Sequence, residues 1–163
     1  MSAVTYDQLR TLYRTLLVFA TVSVVILSIG LIEFVYFEPP GQTSGANAHI
    51  EGVFKYDPAT HDVGGPDRSQ FARTEQFAAK VDWASIPDNF TVDAKWYDSF
   101  GSVEGEVGPG SPARLAAQPL VPVTVPPGFH YVLPGRYTFV VERLSDSVPV
   151  EVLGRRYVVV NRS

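Results

Sequence analysis

Two apolar runs near the C-terminus decide the fold: YTFVVERL, from Tyr137 to Leu144, and VPVEVLGRRYVVV, from Val148 to Val160. Both are rich in β-branched and aromatic residues, which pack well on a pleated sheet. The residues between them, Ser145 to Ser147, favour turns, so the two runs predict a β-hairpin. Gly154 lies inside the second run, where a glycine predicts a bulge or a bend.

Three segments upstream of the hairpin also have the character of strands. Asn89 to Trp96 alternates apolar and polar residues without error, which predicts a half-buried antiparallel strand. Val103 to Val107 predicts a short strand. Val121 to Val125 predicts an extended segment at a sheet edge or a bulge, because its proline cannot donate to a neighbour. Gly108 to Pro112 predicts an irregular loop. Together these segments predict an all-β antiparallel sandwich over residues 83–163.

Residues 38–82 are predicted to be an extended connector. Pro39 and Pro40 end the preceding helix, because proline lacks the amide hydrogen that a helix needs. Pro66 to Lys80 (PDRSQFARTEQFAAK) has apolar residues at helical spacing and an aspartate that can cap the first turn. The sequence therefore predicts one short extra helix near residues 67–80.

An apolar run precedes the connector: LLVFATVSVVILSIGLIEFVYF, from Leu16 to Phe37. Only Glu33 can carry a charge there, and a helix of this length spans roughly 30 Å, the thickness of a bilayer's hydrocarbon core. The run predicts a single transmembrane helix over residues 16–37. A cleaved signal peptide is the alternative, since Ala46 to Ala48 has the small-x-small form of a cleavage site. We reject it because the apolar run is too long and the site lies eleven residues beyond its end.

The charges beside this run predict its orientation. Arg10 and Arg14 precede it, whereas residues 38–54 contain no Lys or Arg. By the positive-inside rule, residues 1–15 are cytoplasmic and the C-terminal domain is periplasmic or extracellular. We therefore expect a single-pass protein of a bacterial inner membrane.

Composition excludes several classes of function. Residues 38–106 contain five Lys or Arg against twelve Asp or Glu, and residues 107–163 contain six against three. Neither part is a dense basic cluster, so nucleic acid is not an expected partner. The absence of cysteine excludes disulfides, thiolate nucleophiles and thiolate-ligated metals.

The sequence carries no catalytic, cofactor-binding or metal-ligating signature, and we expect no enzymatic activity. Potential metal ligands cluster only within residues 49–62, and their spacing fits no known ligand framework. No G-x-S-x-G motif marks a nucleophile. Arg155 and Arg156 have the charge to bind an anion, but consecutive strand residues point to opposite faces, so a single clamp is not expected.

Contacts with a partner are the remaining expectation. Glu33 lies one turn inside the membrane boundary, where it can accept a hydrogen bond from a neighbouring helix or extend to the headgroups. Aromatic residues favour the interfacial zone, and a Pro-rich loop can drape over a partner. The predicted contact residues are Glu33, Tyr36, Phe37, Pro39, Pro40, Phe77, Pro109 and Pro112.

Leu133 to Phe139 (LPGRYTF) resembles a turn and strand common in small bacterial Ig-like and transthyretin-like sandwich domains. A membrane helix followed by an outward β-sandwich is also similar to the second subunit of some haem-copper oxidases. Their copper site needs cysteines, histidine and methionine, and this chain departs from it with no cysteine and only Met1. The layout is more similar to single-span accessory subunits of bacterial photosynthetic reaction-centre and light-harvesting assemblies, or of respiratory supercomplexes.

These resemblances imply a non-catalytic accessory subunit that stabilises a bioenergetic membrane complex, photosynthetic in preference to respiratory. Its partners would be integral membrane subunits and the lipid bilayer. The chain itself would bind no cofactor, whereas the partner complex would contain pigments or haem. A membrane-anchored surface domain that binds a glycan or peptide is the alternative.

Overall fold

The structure, a computed structural model, describes residues 6–37, 43–125 and 130–162; within the first range it describes the side chains of residues 10–26. The chain forms two compact units, Met1–Glu38 and Pro39–Ser163. The first unit contains helix α1 (Tyr6–Phe37), and the second contains every strand that the structure describes.

Helix α1 is 32 residues long. Its described apolar side chains are exposed on every side; Leu12 is 59%, Phe19 71% and Ile26 63% exposed. Within the described residues, no helix combines the length and the apolar character needed to cross a membrane. The second half of the predicted span, residues 27–37, lies outside the side chains that the structure describes.

The second unit is a two-layered β-sandwich, as the sequence predicted. The described strands are β1 (His49–Asp57), β2 (Asp62–Gly64), β3 (Gln70–Ala72), β4 (Gln76–Asp82), β5 (Thr91–Tyr97), β6 (Val103–Gly110), β7 (Leu120–Pro122), β8 (Gly135–Ser145) and β9 (Val148–Asn161). One sheet has the strand order β2-β1-β4-β7 and the other has the order β3-β9-β8-β5-β6. A short helix α2 (Pro112–Leu115) and a 3-10 turn at Trp83–Ser85 connect strands.

The predicted C-terminal hairpin is confirmed as β8 and β9. Its ladder runs from the pair Gly135 and Val160 to the pair Ser145 and Val148. The predicted irregularity at Gly154 is also confirmed, because the register shifts by one residue there. The prediction that the proline-containing segment forms an edge strand is confirmed by β7, which ends the four-stranded sheet.

Aromatic side chains fill the space between the two sheets. The ring of Phe77 lies 4.8 Å from Phe71, 5.1 Å from Trp96 and 5.7 Å from Tyr137, measured between centroids. The indole N–H of Trp96 donates to Val121 O across the sandwich at 2.8 Å, which satisfies a donor that burial would otherwise leave without a partner. This cluster fixes how the sheets stack.

The predicted helix near residues 67–80 is wrong. The segment instead forms β3 and β4, joined by a turn in which Glu75 N–H donates to Ala72 O at 2.9 Å. Phe77, Ala79 and Val81 face the core with strand periodicity, and β4 is paired on both sides by β1 and β7. Pairing on two sides outweighs the helix propensity of the alanines in this segment.

The predicted domain boundary also moves. Residues 49–82 contribute four strands and are not a connector, so the sandwich begins at β1 and not at Trp83. The expectation of purely antiparallel pairing is wrong at one place, because β3 runs parallel to β9 from Gln70 to Ala72. In place of the predicted loop, β6 continues to Gly110 and α2 follows at once.

Candidate functional site

Four polar residues form a buried cluster on the outer face of the five-stranded sheet, the face turned away from the aromatic core. Asp93, Lys95 and Tyr97 alternate along β5, and Glu142 on β8 lies opposite Asp93. Asp93 is 4% exposed and Glu142 is 1% exposed. We call these four residues the carboxylate cluster.

Burial of this face contradicts the half-buried strand that the alternating pattern predicted. One cause is the bulge in β6 at Gly108, which has a φ of 108°. A Cβ added at Gly108 would lie 2.9 Å from Asp93 Cβ, so the β6 backbone passes directly against Asp93. The periodicity of β5 alone could not reveal this, because the covering residues come from another strand.

The cluster holds two carboxyl groups and one ammonium group. Lys95 is ion-paired with Asp93, while its Nζ lies 3.7 Å from Glu142 Oε2. Among the described residues, neither oxygen of Glu142 has a partner with hydrogen-bond geometry. Burial, and next the charge of Asp93, raise the pKa of Glu142 to about 7. Burial followed by the charges of Glu142 and Asp93 also raises the pKa of Tyr97.

A carboxyl group with a pKa near neutrality has the property of a general acid. Catalysis also needs contact with a substrate, and Glu142 at 1% exposure offers none. The ionisation of Glu142 instead makes the stability of the sandwich depend on pH.

A pocket of about 510 Å³ lies at the edge of β9. Three guanidinium groups and one carboxylate in its lining give a local charge of +2, in a protein whose net charge is −4. We call it the arginine pocket. It is lined by Asp67, Arg68, Ser69, Arg155, Arg156 and Tyr157.

The edge of β9 is open where the pocket lies. β3 pairs with β9 only from Val159 onward, so among the described strands none pairs with that edge beside Arg155 to Tyr157. Val159 N–H donates to Ser69 O on this edge at 2.9 Å. Backbone groups alternate in direction along a strand, so the N–H and C=O of Arg155 and Tyr157 point to the same edge as those of Val159.

Asp67 holds one wall of the pocket in place. Its Oδ1 accepts a hydrogen bond from Val53 N at 2.7 Å, and its Oδ2 accepts from Arg156. The bond from Val53 N and then the contact with Arg156 lower the pKa of Asp67. The close packing requires Gly52, because a Cβ there would lie 2.8 Å from Asp67 Cγ. An ionised Asp67 thus attaches this wall to β1 and orients Arg156.

Arg68 lies beside Asp67 and is oriented by two contacts. Its guanidinium lies over the Phe71 ring, 4.6 Å from the centroid, and its Nη2 is 3.3 Å from Glu75 Oε1. A hydrogen bond from Ala72 N, followed by the contact with Arg68, lowers the pKa of Glu75. Arg68 Nε is buried and has no acceptor among the described residues. This buried N–H is therefore unsatisfied within the described part of the fold.

The third arginine reaches the pocket from the opposite face of β9. Arg155 Nη1 donates to the Tyr157 hydroxyl at 3.2 Å, and Arg136 lies 4.2 Å from the centroid of the Tyr157 ring. Consecutive residues do point to opposite faces, as predicted, but both Arg155 and Arg156 line this pocket. An open strand edge is reachable from both faces, so two residues on opposite faces line one pocket.

Five of the predicted partner contacts cannot be placed. Glu33, Tyr36 and Phe37 belong to the part of α1 whose side chains are not described, and Pro39 and Pro40 lie outside the described residues. Their contacts stay predictions.

The other three predicted contacts have definite positions. Phe77 is 0% exposed at the centre of the core, so its prediction as a docking residue is wrong. Pro112 is buried at the start of α2, which makes it a packing residue as well. Pro109 is exposed on β6. The burial of Phe77 follows from the strand that replaces the predicted helix.

Other residues that the sequence singled out do not converge. Among the described residues, no three His, Asp or Glu side chains lie close enough to hold a metal ion. His61 Nδ1 instead lies 2.9 Å from the Tyr56 hydroxyl at the end of the first hairpin. The arginine pocket could be predicted only in part, from the adjacent pair Arg155 and Arg156, because the other wall comes from a distant segment.

Comparisons with protein-family models, with curated proteins and with solved structures find no match to this chain.

Proposed function

We propose that the protein is a non-catalytic accessory subunit of a multisubunit bacterial bioenergetic membrane complex, photosynthetic in preference to respiratory. Residues 16–37 of helix α1 would span the membrane and contact integral membrane subunits and lipid. Residues 1–15 would be cytoplasmic, and the β-sandwich would cover the periplasmic or extracellular side of the complex. The chain itself would bind neither pigment nor haem.

The exposure of α1 carries this proposal. Phe19 is 71% exposed, Val18 60% and Val24 62%, and these residues point in different directions around the helix. Large apolar side chains on all sides of a helix are unfavourable in water and favourable against lipid or other helices. The apolar run continues in sequence from Ile26 to Phe37. The composition and exposure of α1 therefore support a helix that lies against lipid or partner helices.

Hydroxyl groups of α1 have the partners that an apolar environment demands. Thr21 Oγ1 donates to Leu17 O at 2.9 Å, and Thr15 Oγ1 donates to Thr11 O at 3.0 Å. Such bonds to the preceding turn satisfy a hydroxyl where water is absent. These two threonines are thus compatible with membrane insertion.

A local bond supports the Ig-like character of the sandwich. The Tyr137 hydroxyl donates to Leu133 O at 2.9 Å and closes the turn that opens β8. A tyrosine bonded to backbone a few residues upstream is a recurrent feature of Ig-like sandwiches. Such domains commonly serve binding and not catalysis, although a fold alone never establishes function.

Purification in mild detergent with a C-terminal tag tests the proposal. The eluate is analysed by mass spectrometry and by absorption spectroscopy. We expect integral membrane subunits at fixed stoichiometry, with pigment bands for a photosynthetic complex or haem bands for a respiratory one. A variant without residues 6–37 is the control and should lose these partners.

Two results would contradict this function. The first is a colourless monomer that binds a glycan or peptide. That result would favour the alternative, a membrane-anchored surface domain that binds such a ligand. The second is a protease experiment on spheroplasts in which residues 1–15 are digested and the sandwich is not. That result would show that the orientation is opposite to the proposed one.

Glu33→Gln should weaken co-purification only modestly, because one charge-assisted hydrogen bond contributes about 1.5–3 kcal/mol.

A further inference from the structure

We propose that the arginine pocket is a binding site for a phosphate monoester carried on a small organic group. All residues of the site belong to the second unit, and the site goes beyond the proposed function. It is assembled from two distant parts of the chain, the segment Asp67 to Ser69 and the segment Arg155 to Tyr157.

Charge favours an anionic ligand. The lining has three guanidinium groups and one carboxylate, and Arg136 adds a fourth guanidinium against the outer ring face of Tyr157. Around a protein of net charge −4, a local excess of positive charge directs anions to this place. Arginine is also the side chain best matched to phosphate oxygens, which it binds with paired N–H groups.

Hydrogen-bond capacity remains after the internal contacts are counted. A guanidinium has five N–H donors, whereas Asp67 Oδ2 accepts from a single nitrogen of Arg156. Arg68 makes two long contacts with Glu75, of 3.3 and 3.5 Å, through its Nη atoms. Both guanidinium groups therefore have N–H capacity left for a phosphate oxygen.

Size and aromatic character favour an organic phosphate over a bare ion. The volume of about 510 Å³ lies within the range of pockets that hold small organic molecules. Tyr157 is 44% exposed and offers its ring as an apolar surface at one side of the arginines. Ser69 in the pocket lining and the unpaired backbone edge of β9 supply further polar groups for the remainder of the ligand.

Isothermal titration of the full-length protein in detergent tests the site. Glycerol 3-phosphate and dihexanoyl phosphatidic acid are the two probes, and dihexanoyl phosphatidylcholine, which lacks a monoester, is the reference. We expect saturable binding of glycerol 3-phosphate that weakens as salt is raised. Binding of both phosphate monoesters would assign the site to a lipid headgroup, and binding of glycerol 3-phosphate alone would assign it to a soluble ligand.

The variants separate this site from general charge effects. Arg155→Gln keeps the ion pair between Arg156 and Asp67 and should weaken binding by about tenfold, as expected for a lost charge-assisted hydrogen bond. Adding Arg156→Gln should weaken it further. Arg114→Gln on α2 removes the same charge from an exposed site outside the pocket and should leave affinity unchanged.

Two results would overturn the proposal. One is the absence of saturable binding by either phosphate monoester to the unmodified protein. The other is an equal loss of affinity in Arg114→Gln and Arg155→Gln at unchanged melting temperature. Co-purification of membrane subunits should persist in all these variants, so a failure here is distinct from a failure of the proposed function.

Discussion

Glu142 directly follows the buried apolar residues Phe139 to Val141 on β8, and only 1% of its surface is exposed. Burial of a carboxylate disfavours its charged form unless hydrogen bonds compensate. Asp93, which lies opposite, raises the pKa of Glu142, and Lys95 at 3.7 Å lowers it. Burial has the largest effect and raises the pKa. The free-energy cost of burying Glu142 therefore depends on pH.

We expect Glu142→Gln to stabilise the protein at pH 8 and to change stability little at pH 5. The pKa is about 7 in the folded protein against an ordinary 4.5, so the unfolded state binds fewer protons between these values and stability falls as pH rises through them. The full cost above pH 7 is roughly 3 kcal/mol. Urea unfolding at both pH values measures it. An equal effect at the two pH values would contradict the burial argument.

The opposite pH dependence is expected for Glu75→Gln. The pKa of Glu75 is lowered, so its ionised form contributes stability above the ordinary value of 4.5 and loses it as pH falls through the lower folded value. The substitution should therefore destabilise the protein more at pH 8 than at pH 4. Parallel urea titrations decide the matter, and a larger loss at the acidic pH would show that Arg68 and Ala72 do not stabilise the carboxylate.

Phe77 is the residue on which the aromatic core is centred. We expect Phe77→Ala to cost about 3–5 kcal/mol, from lost transfer energy and from the cavity that remains. Phe100→Ala is the matched control, because that phenylalanine is 92% exposed and its removal should change stability by less than about 0.5 kcal/mol. Similar losses in both variants would mean that Phe77 does not hold the two sheets together.

At the scale of elements, β6 and β7 show how the two sheets close upon each other. Thr124 N–H donates to Glu104 O, which links the end of β7 to β6. A Cβ at Gly105 would lie 2.2 Å from Pro122 O, so this approach of two backbones requires glycine. Neither strand pairs with the other within a sheet, and the contact joins edges of different sheets.

We expect Gly105→Ala to destabilise the protein by about 1–3 kcal/mol, because the added methyl group must push β7 away. Gly64→Ala is a suitable control, since a Cβ at Gly64 meets nothing within 4 Å. Thermal unfolding of both variants measures the difference. If both alanines are tolerated equally, the junction of β6 and β7 is more yielding than the close contact implies.

At the scale of the whole molecule, the sandwich includes all strands from β1 onward. Its first described residues are bonded to its last strands: Ser44 N–H donates to Glu151 Oε1 at 2.6 Å, and Ala48 N–H donates to Leu153 O at 2.9 Å. Residues before Trp83 supply most of the four-stranded sheet. The unit that can fold is therefore longer than the sequence pattern indicated.

We expect a fragment of residues 43–163 to fold as a soluble β-sandwich and a fragment of residues 83–163 to remain unfolded. The shorter fragment lacks β1 to β4, which removes three strands of the four-stranded sheet and leaves one face of the other sheet exposed to water. Circular dichroism and urea unfolding compare the two fragments. Cooperative unfolding of the shorter one would restore the boundary predicted at Trp83.

Some features of this protein follow from the sequence alone. The runs in β8 and β9 contain β-branched residues at nearly every position, and only a sheet accommodates such residues well over this length. The proline in β7 restricts that strand to an edge, and Gly154 places a bulge, because both effects are properties of single residues. The composition of Leu16 to Phe37 likewise predicts a long helix without reference to any neighbour.

Other features were decided only by tertiary structure. Residues 67–80 have helical spacing, but β1 and β7 supply hydrogen bonds on both sides of β4, and this pairing has no local signature. The burial of Asp93 depends on Gly108 of a neighbouring strand, and the arginine pocket depends on Asp67 meeting Arg156 across 89 residues of chain. Periodicity describes one segment at a time, whereas burial and charge pairing depend on which segments the fold brings together.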